Sequence, residues 1–212
     1  MADPRQLYYD KRAEVMVKNL TSHGFEAYYC QDRKAALEKA LEIIPEGATV
    51  GWGGAMSAQQ IGLLDAMNNG NYNAIDRDKA PNPEQRKQAM KRCLLADVFI
   101  TGANALSMDG QMVNIDGNGN RVAPIVYGPE SIIVIAGMNK VMDTLDAAMI
   151  RARTVAAPMN KQRFDLQTPC EVTGTCGDCK SEGCICNQIL ITRNSKPAGR
   201  IKMILVGEDL GF

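Results

Sequence analysis

Apolar residues recur with a helical period in some segments of the chain and form short unbroken runs in others. In the N-terminal segment 1–22, apolar residues three or four positions apart predict a helix over residues 4–21. Short apolar runs predict strands at residues 25–30, 48–52, 72–75, 98–101, 112–115, 131–136, 189–192 and 200–206. The uninterrupted run at 131–136 is typical of a strand covered on both faces.

Polar residues that can cap helices mark where helices begin between these strands. Asp32 and Asn82 are each predicted to start a helix, because their side chains can accept a backbone N–H of the first turn. Ser57 has the form of a capping-box residue, with a glutamine three positions later. Asn139 is predicted to cap a helix that ends at Pro158.

The alternation of strands and helices predicts an α/β fold with a Rossmann-like, mainly parallel sheet flanked by helices. We expect residues 1–212 to form a single α/β domain that begins with the helix in 1–22. The last 50 or so residues carry strands but little helix. They are therefore interpreted as an elaboration of the sheet, which includes a small cysteine-rich segment at 168–187.

Composition narrows the class of protein. Lys plus Arg and Asp plus Glu both number 24, so nothing favours nucleic-acid binding. The chain lacks an export signal and has no run near the roughly 20 apolar residues of a membrane span, so we expect a cytoplasmic protein with no membrane partner. His23 is the one histidine, which argues against Ser–His or Cys–His catalysis and leaves acid–base chemistry to other side chains.

The loop Gly51-Trp52-Gly53-Gly54-Ala55-Met56-Ser57 follows a predicted strand and precedes a predicted helix. Such a loop can bind an anion through backbone N–H groups, so its candidate ligand-binding residues are Gly51, Gly53, Gly54 and Ser57. A tight turn that packs the helix on the strand is the alternative. The loop is neither a dinucleotide fingerprint nor a P-loop, and no NAD or FAD cofactor is predicted.

The region 102–121 gathers carboxylates, amides and an arginine among glycines. Its candidate ligand-binding residues are Gly102, Asn104, Gly110, Asn114, Gly117, Gly119, Asn120 and Arg121. Asp109 and Asp116 are candidate catalytic residues, because each could act as a general base. The same residues could instead form Asx turns that stabilise a β-hairpin, and the two roles are compatible.

A third loop of this kind, Gly137-Met138-Asn139-Lys140, follows the strand at 131–136. Asn139 is a candidate ligand-binding residue. Lys140 is a candidate catalytic residue, because its amine could meet an anion or form a Schiff base; a solvated lysine is the alternative. Since parallel strands end at one edge of a sheet, the three loops predict one site for a small anionic metabolite.

Five of the seven cysteines fall within the C-terminal stretch 170–186, whereas Cys30 and Cys93 are isolated and are expected to be buried. In a reducing compartment such a cluster favours a metal site, either zinc or an iron–sulfur cluster. Free thiols or a disulfide formed on oxidation are the alternatives. The candidate ligands are Cys170, Cys176, Cys179 and Cys186.

The three loop motifs and the stretch Pro-Cys…Thr-Gly-Thr-Cys-Gly-Asp-Cys resemble the lactate-utilisation (LUD) domain family over nearly the whole chain. The resemblance implies the fold of the glucosamine-6-phosphate deaminase, ribose-5-phosphate isomerase and CoA-transferase superfamily. It also implies that Cys184 is the variable cysteine. Sugar-phosphate isomerases related to translation initiation factor 2B carry an aspartate where this chain has Asn104, and an amide cannot act as a base.

The resemblance implies a role in the oxidation of lactate to pyruvate beside iron–sulfur partner proteins. The chain has no ferredoxin-type cysteine run of its own. Three functions therefore stay open: a lactate-utilisation-type protein that binds a small anionic metabolite, a stand-alone isomerase or transferase acting on a sugar phosphate or CoA ester, and a non-catalytic interaction subunit held by a metal knuckle. A homodimer is also compatible with the sequence.

Overall fold

The apolar run at 131–136 lies inside a parallel sheet in the computed structural model of the chain, which describes residues 3–165 and 167–212. Among these residues, six parallel strands pair in the order β1 (Glu26–Cys30), β10 (Ile201–Val206), β7 (Ser131–Gly137), β4 (Val98–Gly102), β2 (Thr49–Trp52) and β3 (Asn73–Ile75). The predicted α/β class with a mainly parallel sheet is confirmed. The first two positions of the predicted segment 1–22 lie outside the described residues.

Helices cover both faces of this sheet. The α-helices of the described residues are α1 (Pro4–Ser22), α2 (Arg33–Ile43), α3 (Met56–Gln60), α4 (Leu63–Asn69), α5 (Pro83–Arg92), α6 (Val122–Val126), α7 (Leu145–Arg151), α8 (Ala157–Lys161) and α9 (Pro169–Thr173), of which α7 to α9 lie away from this sheet. In the described part of the chain, none of them is long and apolar enough to cross a bilayer.

Successive residues of β7 point to opposite faces of the sheet and enter different cores. Ile132 and Val134 pack in the core beneath α1, whereas Ile133 and Ile135 pack in the core beneath α2 and α4. All four side chains are fully buried. The unbroken apolar run therefore reflects a strand that has no solvent face, as expected for a parallel sheet between two helical layers.

A smaller mixed sheet extends this layer on one side. Its strands pair in the order β8 (Val141–Met142), β5 (Ala105–Ser107), β6 (Gln111–Asp116) and β9 (Gln188–Thr192), with β5 and β6 antiparallel. Helix α7 covers one face of this sheet, where Ala105, Val113 and Ala148 pack together. The predicted strands at 112–115 and 189–192 belong here, while β5 and β8 are too short to show a period in the sequence.

Two predicted helix caps are confirmed. The Asp32 carboxylate accepts the N–H of Ala35 at 2.8 Å, and the Asn82 side chain accepts the N–H of Gln85 at 2.9 Å. Both signals are local, because the cap and its partner are three residues apart.

Three other boundary predictions were wrong. Ser57 lies inside α3 rather than before it, and that helix stops after five residues, ahead of Gly62 at φ 82°. Asn139 does not cap a helix: its side chain accepts the N–H of Leu210 at 3.2 Å, and Thr144 caps α7 instead. Pro158 does not end the helix either, because a π-helical turn over 152–156 lets the chain continue into α8.

The cap of α7 can be tested with matched threonine variants. Thr144 Oγ1 accepts the N–H of Ala147 at 3.1 Å, so Thr144→Ala is expected to lower the free energy of unfolding by about 1 kcal/mol in urea. Thr154 is also exposed, but its hydroxyl group donates to the carbonyl oxygen of Ile150 within the helix and caps no N–H group. Thr154→Ala should change stability by less than half as much, and equal losses in the two variants would contradict the assigned cap.

Candidate functional site

The carboxyl ends of β2, β4 and β7 open into a cleft of about 400 Å³. Ser57 reaches it from the segment after β2, Ala103 and Asn104 from the segment after β4, and Lys140 from the turn after β7. The topology thus brings the three glycine-rich loops to one edge of the sheet, where open α/β sheets bind ligands.

Lys140 is the most unusual residue of this cleft, because it is a lysine that is only 3% exposed. Its Nζ donates to Ser57 Oγ and to the carbonyl oxygen of Ala103, both at 3.1 Å. Burial, reinforced by the nearby positive charges of Arg151 and Arg121, lowers the pKa of Lys140 to about 7. The amine can therefore gain or lose a proton near neutral pH.

The C-terminal segment of the chain packs directly over this lysine. Gly211 has φ +63°, and a Cβ there would lie 2.6 Å from Ser57 Oγ and 2.8 Å from Lys140 Nζ. Both the backbone angle and the close approach require glycine. Gln60 holds the segment in place by accepting the N–H of Gly211 at 2.7 Å.

Basic side chains outnumber acidic ones in the lining. The cleft is lined by the basic residues Arg77, Arg86, Arg121, Lys140 and Arg163, and by the acidic residues Asp78, Asp116 and Glu182. Asp78 pairs with Arg86 of the same lining at 2.8 Å and lies 3.8 Å from Arg77 Nε, and Asp116 binds backbone amides. Among the described residues, no carboxylate lies within ion-pair distance of Lys140 or Arg121. The cleft therefore has a net positive character.

Asp116 organises the loop that forms one wall. Its two carboxylate oxygens accept the backbone N–H groups of Asn118, Gly119, Arg121 and Val122 at 2.8–3.1 Å. This is the Asx-turn role that the Asp-Gly spacing also allowed. The carboxylate is 8% exposed and its lone pairs are occupied by these amides, so the geometry assigns it a structural role.

Arg121 is half-buried in the same wall. Its guanidinium donates to Asn104 Oδ1 at 2.6 Å and to the carbonyl oxygen of Ile115. Asn104 Oδ1 also accepts the N–H of Ile115 at 2.8 Å. A Cβ on Gly53 would meet the Arg121 side chain at 2.9 Å, which accounts for glycine there. The hydrogen bonds of Arg121 and Asn104 thus connect β6 to the segment after β4.

Several predicted residues line the cleft and others do not. Those in the lining are Gly54, Ser57, Gly102, Asn104, Asp116, Gly117, Asn120, Arg121 and Lys140. Those outside it are Gly51, Gly53, Asp109, Gly110, Asn114, Gly119 and Asn139, although Gly53 and Gly119 contact its walls through Arg121 and Asp116.

The residues outside the cleft have structural explanations. Asp109 and Gly110 form the turn of the β5–β6 hairpin, at the end away from Asn104, and Asp109 accepts hydrogen bonds from Ser107 and Gln111. The hydrogen bond from Ser107 is the main reason that the pKa of Asp109 is lowered. Gly51 packs on helical residues, since a Cβ there would lie 2.6 Å from Cys93 Sγ.

Asn114 is fully buried between the two sheets. Its amide nitrogen donates to the carbonyl oxygen of Gly102 at 2.9 Å, while its Oδ1 has no hydrogen-bond partner within the described residues. The side chain therefore fixes β4 to β6 behind the cleft.

Sequence reasoning missed several cleft residues, namely Arg77, Arg86, Arg163, Glu182 and Phe212. Arg77 follows the carboxyl end of β3 and could have been found by the same strand-end rule. Arg163 and Glu182 reach the cleft from irregular segments, for which the sequence offers no positional signal.

The four candidate metal ligands line a second cavity of about 320 Å³, together with Cys184. All of these cysteines are free thiols. In the described residues, no group of three or more His, Cys, Asp or Glu side chains converges closely enough to hold a single metal ion. Burial, then the neighbouring cysteines, raises the pKa of Cys186 to about 12. Cys184 and Ile185 line both cavities, so the two share a wall.

Comparison with known proteins identifies the family. The model of the LUD domain matches residues 13–206, so the chain belongs to the LUD domain family, the lactate-utilisation type of protein. No curated protein is significantly similar to the chain.

One solved structure supports the fold assignment, and two others are only weakly similar. A DUF162 family protein from Deinococcus radiodurans aligns with a TM-score of 0.52 and 11% identity, over 93% of this chain and 97% of that one. Ribose 5 phosphate isomerase A from Neisseria gonorrhoeae gives a TM-score of 0.34 and 20% identity, over 53% of this chain and 54% of that one. 5-Methylthioribose 1-phosphate isomerase from Pyrococcus horikoshii OT3 gives a TM-score of 0.38 and 14% identity, over 76% of this chain and 51% of that one. The last two likenesses are too weak to bear on function.

The two aspartates that the sequence could not distinguish can be separated by their effect on stability. Asp116→Ala removes the acceptor of four backbone N–H groups, and we expect the free energy of unfolding to fall by about 2–4 kcal/mol. Asp109→Ala, at the more exposed hairpin turn, is the matched control and should cost about 1 kcal/mol or less. Urea unfolding measures both, and a smaller loss for Asp116→Ala than for Asp109→Ala would refute the structural role of Asp116.

Proposed function

We propose that the cleft binds a small 2-hydroxycarboxylate of the lactate type, and that the chain supports oxidation of lactate to pyruvate with iron–sulfur partner proteins. The observation that carries the proposal is the buried amine of Lys140 in a cleft with excess positive charge. Burying a cation without a counter-charge is costly, and a bound anion would remove that cost.

The chemistry of the lining suits a carboxylate that also carries a hydroxyl group. Protonated Lys140 can donate to the carboxylate, and Ser57 Oγ can donate to or accept from the hydroxyl. Arg77 is largely buried, and its Nε lies 3.8 Å from Asp78 Oδ1 but has no hydrogen-bond partner in the described residues, so its N–H could donate to an anionic oxygen. Arg163, which is exposed, lies at the rim, where it could attract the anion from solution.

Membership of the LUD domain family supports the choice of lactate over other small anions. In this role the chain holds the hydroxy acid, whose oxidation to the oxo acid releases two electrons and two protons. The electrons leave one at a time to an iron–sulfur partner protein, and the protons leave to solvent.

Calorimetric titration with L-lactate tests the proposal. Lys140→Gln should weaken binding by about tenfold to a hundredfold, the effect of one charge-assisted hydrogen bond. Affinity in the wild-type protein should fall as pH rises through about 7, because the amine loses the proton that attracts the anion. The Lys140→Gln variant should not show this pH dependence.

The exposed Lys18 on α1 supplies the matched control, and Lys18→Gln should bind lactate like the wild type. Equal affinity in Lys140→Gln and wild type would contradict the assigned site. Tight binding and turnover of a sugar phosphate, with no binding of hydroxy acids, would instead support the isomerase alternative.

A further inference from the structure

Five cysteines from a stretch of 17 residues surround one cavity next to the anion-binding cleft. Cys170 lies on α9, Cys176 and Cys179 form a Cys-x2-Cys turn after it, and Cys184 and Cys186 precede β9. The turn is packed tightly against α9, since a Cβ on Gly177 would lie 2.8 Å from Pro169 Cβ. The fold thus collects these thiols in one place although the segment contains few large apolar residues.

The arrangement of the sulfur atoms distinguishes between two kinds of metal centre. A tetrahedral zinc ion with Zn–S bonds of about 2.3 Å requires sulfur atoms only about 3.8 Å apart. In the described residues the thiols do not converge in this way on one point, and they surround a space of about 320 Å³ instead. A cluster of several irons and bridging sulfides is bound by thiolates that lie farther apart, because they bind different irons.

One side of the cavity suits an anionic cluster. Ile115, Ala157 and Pro158 supply a buried apolar wall, whereas Arg153 and Asp178 line the more exposed side. Lys161, whose side chain is fully buried, lines the same cavity, and its positive charge complements thiolate ligands.

A polar group already reaches one of the candidate ligand sulfur atoms, since Thr168 Oγ1 lies 3.5 Å from Cys170 Sγ. The backbone N–H of Cys186 donates instead to Cys184 Sγ at 3.4 Å, in the wall between this cavity and the cleft. Hydrogen bonds to sulfur are among the interactions that stabilise iron–sulfur clusters and set their potentials.

We propose that Cys170, Cys176, Cys179 and Cys186 hold an iron–sulfur cluster in this cavity, and that Cys184 is a wall residue between the cluster and the cleft. The chain itself then carries a redox group directly beside the metabolite site. This proposal does not depend on which anion the cleft binds.

The test is metal and sulfide analysis of the full-length protein after anaerobic reconstitution with ferrous iron and sulfide. The wild-type protein should retain iron and acid-labile sulfide in equal amounts, and should give an electron paramagnetic resonance signal in one of its redox states. Cys176→Ser and Cys179→Ser should each lose both iron and sulfide. Cys184→Ser should retain them, as should the thiol controls Cys30→Ser and Cys93→Ser.

A second measurement covers the case in which the ligand variants fail to fold. In the reconstituted wild-type protein, the four ligand cysteines should be protected from alkylation, and removal of iron by a chelator should expose them. A chain that takes up one zinc and no sulfide, takes up no metal, or keeps its iron in both Cys176→Ser and Cys179→Ser would overturn the proposal.

Discussion

The buried amine of Lys140 is the constraint on which the site depends. An ammonium group that is 3% exposed is unfavourable unless polar groups surround it, and the chain provides them from distant segments. Ser57, which is 83 residues from Lys140 in the sequence, and the carbonyl oxygen of Ala103 accept hydrogen bonds from the amine. Gly211 packs directly over it. These contacts join the ends of three parallel strands and the C-terminus of the described chain around one cation, so a change at any of them affects the cleft.

The cleft and the cysteine cavity are two parts of one region. Ile115, Cys184 and Ile185 line both, and the loop held by Asp116 lies between them, with Gly117 in contact with Ile185. The small mixed sheet makes this possible, because β6 pairs with β9 and thereby docks the cysteine-rich segment beside the strand ends. The cleft at the strand ends of the main sheet and the cysteine cavity are thus brought into contact by a single strand pairing.

The sequence predicted the parts of the structure that depend on local signals. The unbroken apolar run of β7 and the caps Asp32 and Asn82 are of this kind, and so is the place of the cleft, which follows from strand ends. Ser57 and Asn139 also have the form of caps, but their side chains bond to residues more than 70 positions away. No local pattern reveals such partners, so these two predictions were wrong.

The roles of the site residues also depend on contacts between segments that are distant in the sequence. Asp109 and Asp116 each precede a glycine, and only the pairing of β5 with β6 places the first at the hairpin turn and the second beside the cleft. For Lys140 the sequence left two interpretations open, a catalytic residue and a solvated lysine. Its burial results from the packing of Gly211 and Ser57, which the sequence does not show.

Nuclear magnetic resonance of isotope-labelled lysine, with Lys140 assigned by its glutamine variant, tests the central claim most directly. In the free protein the Lys140 side chain should titrate at about pH 7, well below the ordinary lysine pKa of 10.5. Saturation with L-lactate should move this titration to higher pH, because the bound carboxylate stabilises the ammonium form. A Lys140 signal that titrates near 10.5 and does not respond to lactate would contradict the account.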